Sequence, residues 1–144
     1  MILVTPEIRV ALRANDAART DAIANGLRAP DPIPVVRFFN PLGQATWLAT
    51  EMDADGILFG LADLGFGSPE RGSFALAEFE SIRLPFGMGI ERDILFEGRY
   101  PLSVYAEAAR WSASLIPGGT FVAVIVTRVP SRTGARVVVI VIDP

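Results

Sequence analysis

Between residues 44 and 64 two largely apolar runs, 44–52 and 57–64, interrupted by polar positions such as Glu51 and Asp63, are separated by Asp53-Ala54-Asp55-Gly56. The two runs are strand-length and Asp55-Gly56 supplies residues that tolerate positive φ, so the stretch predicts a β-hairpin. Before it, Val35-Val36-Arg37-Phe38-Phe39 reads as a first strand, stopped by the turn signal Asn40-Pro41-Leu42-Gly43. After it, the glycine-broken residues 65–72 read as a loop and residues 90–96 as a further strand.

Three segments carry a helical pattern. Thr5-Pro6-Glu7 combines a hydroxyl cap, a proline at the first helical position and an acid in the first turn. The helix it opens is expected to bury Ile8, Leu12, Ile23 and Leu27 on one stripe and to end near Asn25, with Gly26 as its cap. Residues 74–83 space Leu76, Phe79 and Ile82 by three, which predicts a short helix. Pro101 opens a third, with Leu102, Tyr105, Ala109 and Trp111 toward one side. Residues 28–34 hold three prolines and form a stiff linker.

The last 25 residues change character. "FVAVIVTRV" and "RVVVIVID" are apolar at almost every position, with polar residues between them. They predict a C-terminal β-hairpin over about residues 119–143, with a wet tip and a body that needs both faces covered. The fold class that follows is α+β: a single domain over residues 1–144, mainly an antiparallel sheet with two or three packed helices and the C-terminal hairpin.

Composition narrows the chemistry. The chain has no Cys, no His and no Lys, and all 13 of its basic side chains are Arg. Thiolate nucleophiles, Ser-His dyads, Schiff bases, the phosphate-loop lysine and zinc held by His or Cys are thereby excluded. Catalysis would have to run on carboxylates, with a hard cation such as Mg²⁺. The all-Arg usage has a plainer reading as nucleotide-composition bias. A net charge of −3 argues against a general nucleic-acid coat protein. No apolar run approaches the ~20 residues that span a bilayer. The first residues lack a secretory pattern, so no membrane association and a cytoplasmic location are expected.

Candidate site residues are then few. Glu51 and Asp63 stand inside apolar runs. With an even turn, Trp47, Ala49 and Glu51 share a face with Leu58, Gly60 and Ala62, while Leu48 and Met52 join Phe59, Leu61 and Asp63. That register sends the two acids to opposite faces and leaves a shallow floor at Gly60 and Ala62, edged by Trp47 and Glu51. Such a floor suits a planar ligand or a partner's side chain; the competing reading is that a helix or the C-terminal hairpin covers it. "IERD" places Glu91 and Asp93 on one side of a strand and Arg92 on the other, either as ligands for Mg²⁺ with Glu51, Asp63 or Glu70 or as an Arg–carboxylate ion pair at a strand end.

The pieces "PVVRFFNPLGQATWLATEMD", "FGLADLGFGSPERG", "LAEFESIR", "GIERDILF" and "PLSVYAEAAR" occur in the order of an uncharacterised bacterial family, domain of unknown function 2958. The chain resembles that family from its first helix to about Ala113, and departs from it where Pro69-Glu70-Arg71-Gly72 stands in place of a "PELG" pattern. The resemblance implies a setting on plasmids and integrated conjugative elements, and no activity. The expected function is an accessory or interaction protein that binds a protein or nucleic-acid partner through Trp47, Glu51, Asp63, Glu70, Glu91, Arg92 and Asp93. No cofactor or metal site is expected, and a homodimer could form through the hairpin or a sheet edge. The alternative is a carboxylate- and Mg²⁺-dependent enzyme acting on phosphodiesters, which needs at least three of those acids to converge.

Overall fold

A computed structural model describes residues 1–65, 67–115, 123–129 and 136–142, with side chains described as far as Arg110. Thr5 opens α1 (Pro6–Ala24): its hydroxyl accepts the Ile8 N–H at 3.3 Å, and Pro6 fills the first turn. The helix closes in a Schellman turn. Gly26 takes a φ of 67°, and the N–H groups of Gly26 and Leu27 donate to the carbonyls of Ile23 and Ala22. The expected apolar stripe holds only at the start of the helix. Ile8 packs on the core and Leu12 is fully buried, whereas Ile23 is 55% and Leu27 66% exposed. Positions three, four and seven beyond Leu12 hold Asn15, Asp16 and Arg19, so the side of the helix that meets the protein turns polar halfway along.

Five strands form an antiparallel sheet: β1 (Val36–Phe39), β2 (Thr46–Met52), β3 (Ile57–Asp63), β4 (Glu70–Ala75) and β5 (Glu91–Arg92), in the spatial order β4-β3-β2-β1-β5. The β2–β3 hairpin turns where the Asp-Gly signal places it. Asp53 Oδ1 accepts the N–H groups of Asp55 and Ile57, and Gly56 takes a φ of 80°. β4 occupies residues expected as loop and helix start. Glu70-Arg71-Gly72 lacks apolar alternation, and its extended form follows from pairing with β3, Ala62 opposite Glu70 and Gly60 opposite Gly72. The strand expected over residues 90–96 shortens to β5, because Asp93 Oδ1 accepts the Leu95 N–H and bends the chain.

Both sheet faces are covered by helix. On one, Val36, Phe38, Ala49, Met52 and Leu58 are buried against α2 (Leu76–Ser81) and the N-terminal residues Leu3 and Val4. Phe79 of α2 centres that core, its ring 5.5 Å from Phe38, 4.7 Å from Trp47 and 5.2 Å from Phe74. On the other face α3 (Leu102–Leu115) sets Leu102 and Ala106 against Leu61 and Leu48. The proline linker fixes α3. Pro32 O accepts the Leu102 N–H, and Asp31 accepts the Ser103 N–H at 3.1 Å and hydrogen-bonds the Ser103 hydroxyl, capping a helix far along the chain. Gly98 passes the same linker so closely that a Cβ there would lie 2.0 Å from Pro34 O.

Of the C-terminal hairpin the described residues include the backbones of β6 (Ala123–Val129) and β7 (Arg136–Ile142), antiparallel with Ala123 opposite Ile142. Its turn and side chains, and with them the expected wet tip and dry body, lie outside the described residues. Among the described residues no helix is long and apolar enough to cross a membrane.

Two outcomes follow from these contacts. A Cβ on Gly60 would lie 1.7 Å from Leu48 O, so Gly60→Ala is expected to cost about 3 kcal/mol, read as a lowered urea midpoint with an unchanged slope. At the start of α1, backbone N–H and Thr5 hydrogen bonds hold the Glu7 carboxyl below its ordinary range. A depressed carboxylate stabilises the fold above its unfolded-state value, and that contribution is lost as pH falls through the folded value. Thr5→Ala is therefore expected to lower stability by about 1 kcal/mol at neutral pH, with the gap to the parent chain narrowing in thermal melts below about pH 4.

Candidate functional site

The hairpin register runs as expected from Trp47↔Ala62 through Leu48↔Leu61 to Ala49↔Gly60, and then slips by one residue. Thr50 is the extra residue of a β-bulge, and beyond it Glu51 stands opposite Phe59 and Met52 opposite Leu58. The Thr50 hydroxyl donates to Phe59 O at 3.2 Å, and Thr50 O accepts from Asn15 Nδ2 at 2.8 Å. The bulge is thereby closed by hydrogen bonds on both sides.

The slip corrects the sequence reading of this hairpin. Glu51 leaves the face of Trp47 and joins that of Phe59, Leu61 and Asp63, so the two acids share a face instead of opposing each other. Met52 goes the other way, into the core with Leu58. Glu51 and Asp63 remain apart, because Leu48 and Leu61 lie between them beneath α3. The floor expected between Trp47 and Glu51 is covered at its aromatic end by Phe79.

Glu51 is 4% exposed and meets Arg19 of α1, whose Nε donates to Glu51 Oε2 at 2.8 Å. Arg19 Nη2 also holds Asp16 Oδ1 at 3.1 Å, and Arg13 holds Asp16 Oδ2 at 3.1 Å. The hydrogen bond it donates to Glu51 raises the Arg19 guanidinium above its ordinary value; partial burial opposes this, and the charges of Glu51 and Asp16 add to it. Around this chain of charges lies a cleft of about 290 Å³, walled by Asp16, Arg19, Glu51 and Asp53, with Phe59 and Ser73 along its floor. Glu51, Phe59 and Ser73 are direct neighbours across β2, β3 and β4, one row over three strands. At ~4.8 Å between strands the row is about 10 Å long.

The other candidate residues go elsewhere. Asp63 Oδ1 accepts the Gly65 N–H at 2.9 Å and serves the turn after β3. Glu70 is exposed at the start of β4. Glu91 and Arg92 stand opposite Phe39 and Phe38 in β5, and Arg92 Nη1 is buried without a hydrogen-bond partner. Asp93 pairs with Arg37 at 2.9 Å, the ion-pair arrangement at a strand end. Among the described residues no three Asp or Glu side chains gather as a metal ion would need.

Sequence reasoning missed Asp16, Arg19, Phe59 and Ser73. A signal for the first two was present: they lie four and seven residues after Leu12, on the buried side of α1, where a polar group needs a partner. Removing the cation tests the pairing. Arg19→Ala leaves a buried carboxylate uncompensated and is expected to cost about 2 kcal/mol, below the value for a fully buried pair because Arg19 is partly exposed. The double change Arg19→Ala with Glu51→Gln is expected to recover more than half of that loss in urea unfolding, and simple additivity would show that the pair is not coupled.

No curated protein and no solved structure matches the chain. A family does: residues 3–116 match the family described as "Protein of unknown function (DUF2958)", and the chain belongs to it.

Proposed function

We infer that the protein is a non-enzymatic accessory or interaction protein whose protein partner docks at the cleft between α1 and the β2–β3–β4 row. The supporting observation is the open end of one sheet face. α3 covers Leu48 and Leu61, but beyond them Phe59 is 36% exposed beside the ion pair of buried Glu51 and partly exposed Arg19. An accessible aromatic ring next to a fixed pattern of charges is the composition of a recognition surface. The family resemblance supports the setting, a bacterial mobile element.

A protein partner is favoured over nucleic acid by the commitments of the arginines. Arg13, Arg19, Arg37 and Arg99 each face a carboxylate, which leaves less positive charge to displace counterions from phosphates. The phosphodiesterase alternative draws no support from acids dispersed among an ion pair with Arg19, an ion pair with Arg37 and a turn at Gly65.

Photo-crosslinking tests the reading. With p-benzoylphenylalanine at position 59, a discrete protein adduct is expected in the native host, and none from position 14 on the exposed side of α1. Absence of the adduct at 59, or the same pattern from both positions, removes the docking site. Hydrolysis of bis(p-nitrophenyl) phosphate with Mg²⁺ or Mn²⁺ that disappears in Glu51→Gln would establish the enzyme in its place.

A further inference from the structure

We propose that Arg92, on the β5 edge of the sheet, takes a carboxylate: an aspartate or glutamate side chain presented by an extended segment of a protein partner. Arg92 Nη1 is sealed from water and has no hydrogen-bond acceptor among the described residues. A buried guanidinium nitrogen in that state costs free energy until an acceptor arrives, and a carboxylate is the acceptor that matches it in charge and shape. The rest of Arg92 is partly exposed, so an incoming group can reach the guanidinium. β1 separates this edge from the row on β2, β3 and β4, and the site is a contact additional to the cleft.

The neighbouring acids do not supply the carboxylate. Glu91 and Asp93 flank Arg92 in sequence and so stand on the opposite face of the chain, and Asp93 is held by Arg37 at 2.9 Å. Arg92 shares the face of Phe38, its partner across the ladder, and that face is apolar: Phe38 lies opposite Trp47 and against Phe79. A carboxylate is favoured over a phosphate because one guanidinium answers one negative charge. The nearby Arg37 is engaged with Asp93 on the other face, and the net charge of −3 opposes a polyanion.

The backbone of β5 gives the direction of approach. The Asp93 N–H donates to Arg37 O at 2.9 Å, which makes that pair a hydrogen-bonded one and the adjacent pair of Phe38 and Arg92 a non-hydrogen-bonded one. The N–H and C=O of Arg92 therefore point away from β1, and β5 is the last strand of the sheet on that side. The N–H meets the Met1 thioether at 3.1 Å, a weak acceptor on a residue that is 73% exposed. An extended residue laid against this edge displaces the sulfur and exchanges two backbone hydrogen bonds with Arg92. Standing directly opposite, it projects its side chain on the same face as Arg92, so an acid there lies beside the guanidinium. A strand of two residues offers one outward-facing position, and the acid rather than a long ladder carries the selectivity.

The probe is the capped peptide acetyl-Thr-Val-Glu-Val-Thr-amide, titrated into the ¹⁵N-labelled full chain at low salt, with its glutamine analogue and inorganic phosphate as controls. Saturable shifts in the millimolar range are expected at the Arg92 backbone N–H and side-chain Nε–H, with slower exchange of the backbone proton. The glutamine analogue is expected to bind at least fivefold more weakly, and phosphate to give no saturable shift. Arg92→Met is expected to abolish the response and to raise the urea midpoint, because a guanidinium kept for a partner is a burden on the free chain. No saturable shift with the glutamate peptide, an equal response to its glutamine analogue, or phosphate binding as tight as the peptide's overturns the proposal. A lowered midpoint or failure to fold in Arg92→Met also overturns it, since Arg92 would then serve the fold. The peptide comparisons use the parent chain and need no variant, and none of these outcomes bears on the adduct at position 59.

Discussion

A carboxylate cannot be left in an apolar core without a cation, and the architecture around β2 meets that constraint with one extra residue. In an unbroken ladder Glu51 would oppose Leu58, among Met52, Leu12 and the aromatic cluster of Phe79. An uncompensated charge there would cost several kcal/mol, a large part of the stability of a domain this size. The bulge at Thr50 exchanges the two side chains, so that Met52 fills the core and Glu51 reaches Arg19. Thr50 suits the task because its hydroxyl takes the Phe59 carbonyl that the shifted ladder leaves over.

The same bulge depends on α1. Pairing between β1 and β2 begins at Val36↔Ala49, so among the described residues no strand pairs with the last residues of β2 on that side. Side chains of α1 stand in for one: Asn15 donates to Thr50 O and Arg13 to Met52 O at 2.9 Å. An edge that would otherwise present bare carbonyls is closed by a helix. The polar side of α1 is therefore structural in its first half and forms the wall of the cleft in its second.

Much of this was legible in the residues. The cap at Thr5, the stop at Gly26, the Asp53–Gly56 turn and the Leu76/Phe79 pair are local signals, set by backbone geometry within a few positions, and each element stands where its signal lies. β4 was illegible because Glu70-Arg71-Gly72 has no strand preference of its own and becomes extended only by lying on β3. The bulge was illegible for a related reason. No local signal within residues 46–52 marks the slip, and only the cost of burying Glu51, weighed against a cation 32 positions away on α1, decides where the register slips. Ile23 and Leu27 misled because helical spacing says which residues share a side and not how far along the helix the neighbouring surface extends.

The attachment of α3 to the proline linker has a kinetic consequence. Ser103 and the aspartate that caps it are separated by 72 positions, and Gly98 is pressed against Pro34 in the same seam. The first turn of α3 cannot be completed from its own neighbourhood; it waits for two distant parts of the chain to meet, and such closures slow folding. During synthesis β1 to β4 and α2 emerge and can pair before α3 exists. α3 is then the closing piece, and until it docks the apolar face of Leu48 and Leu61 is open to water and to other chains.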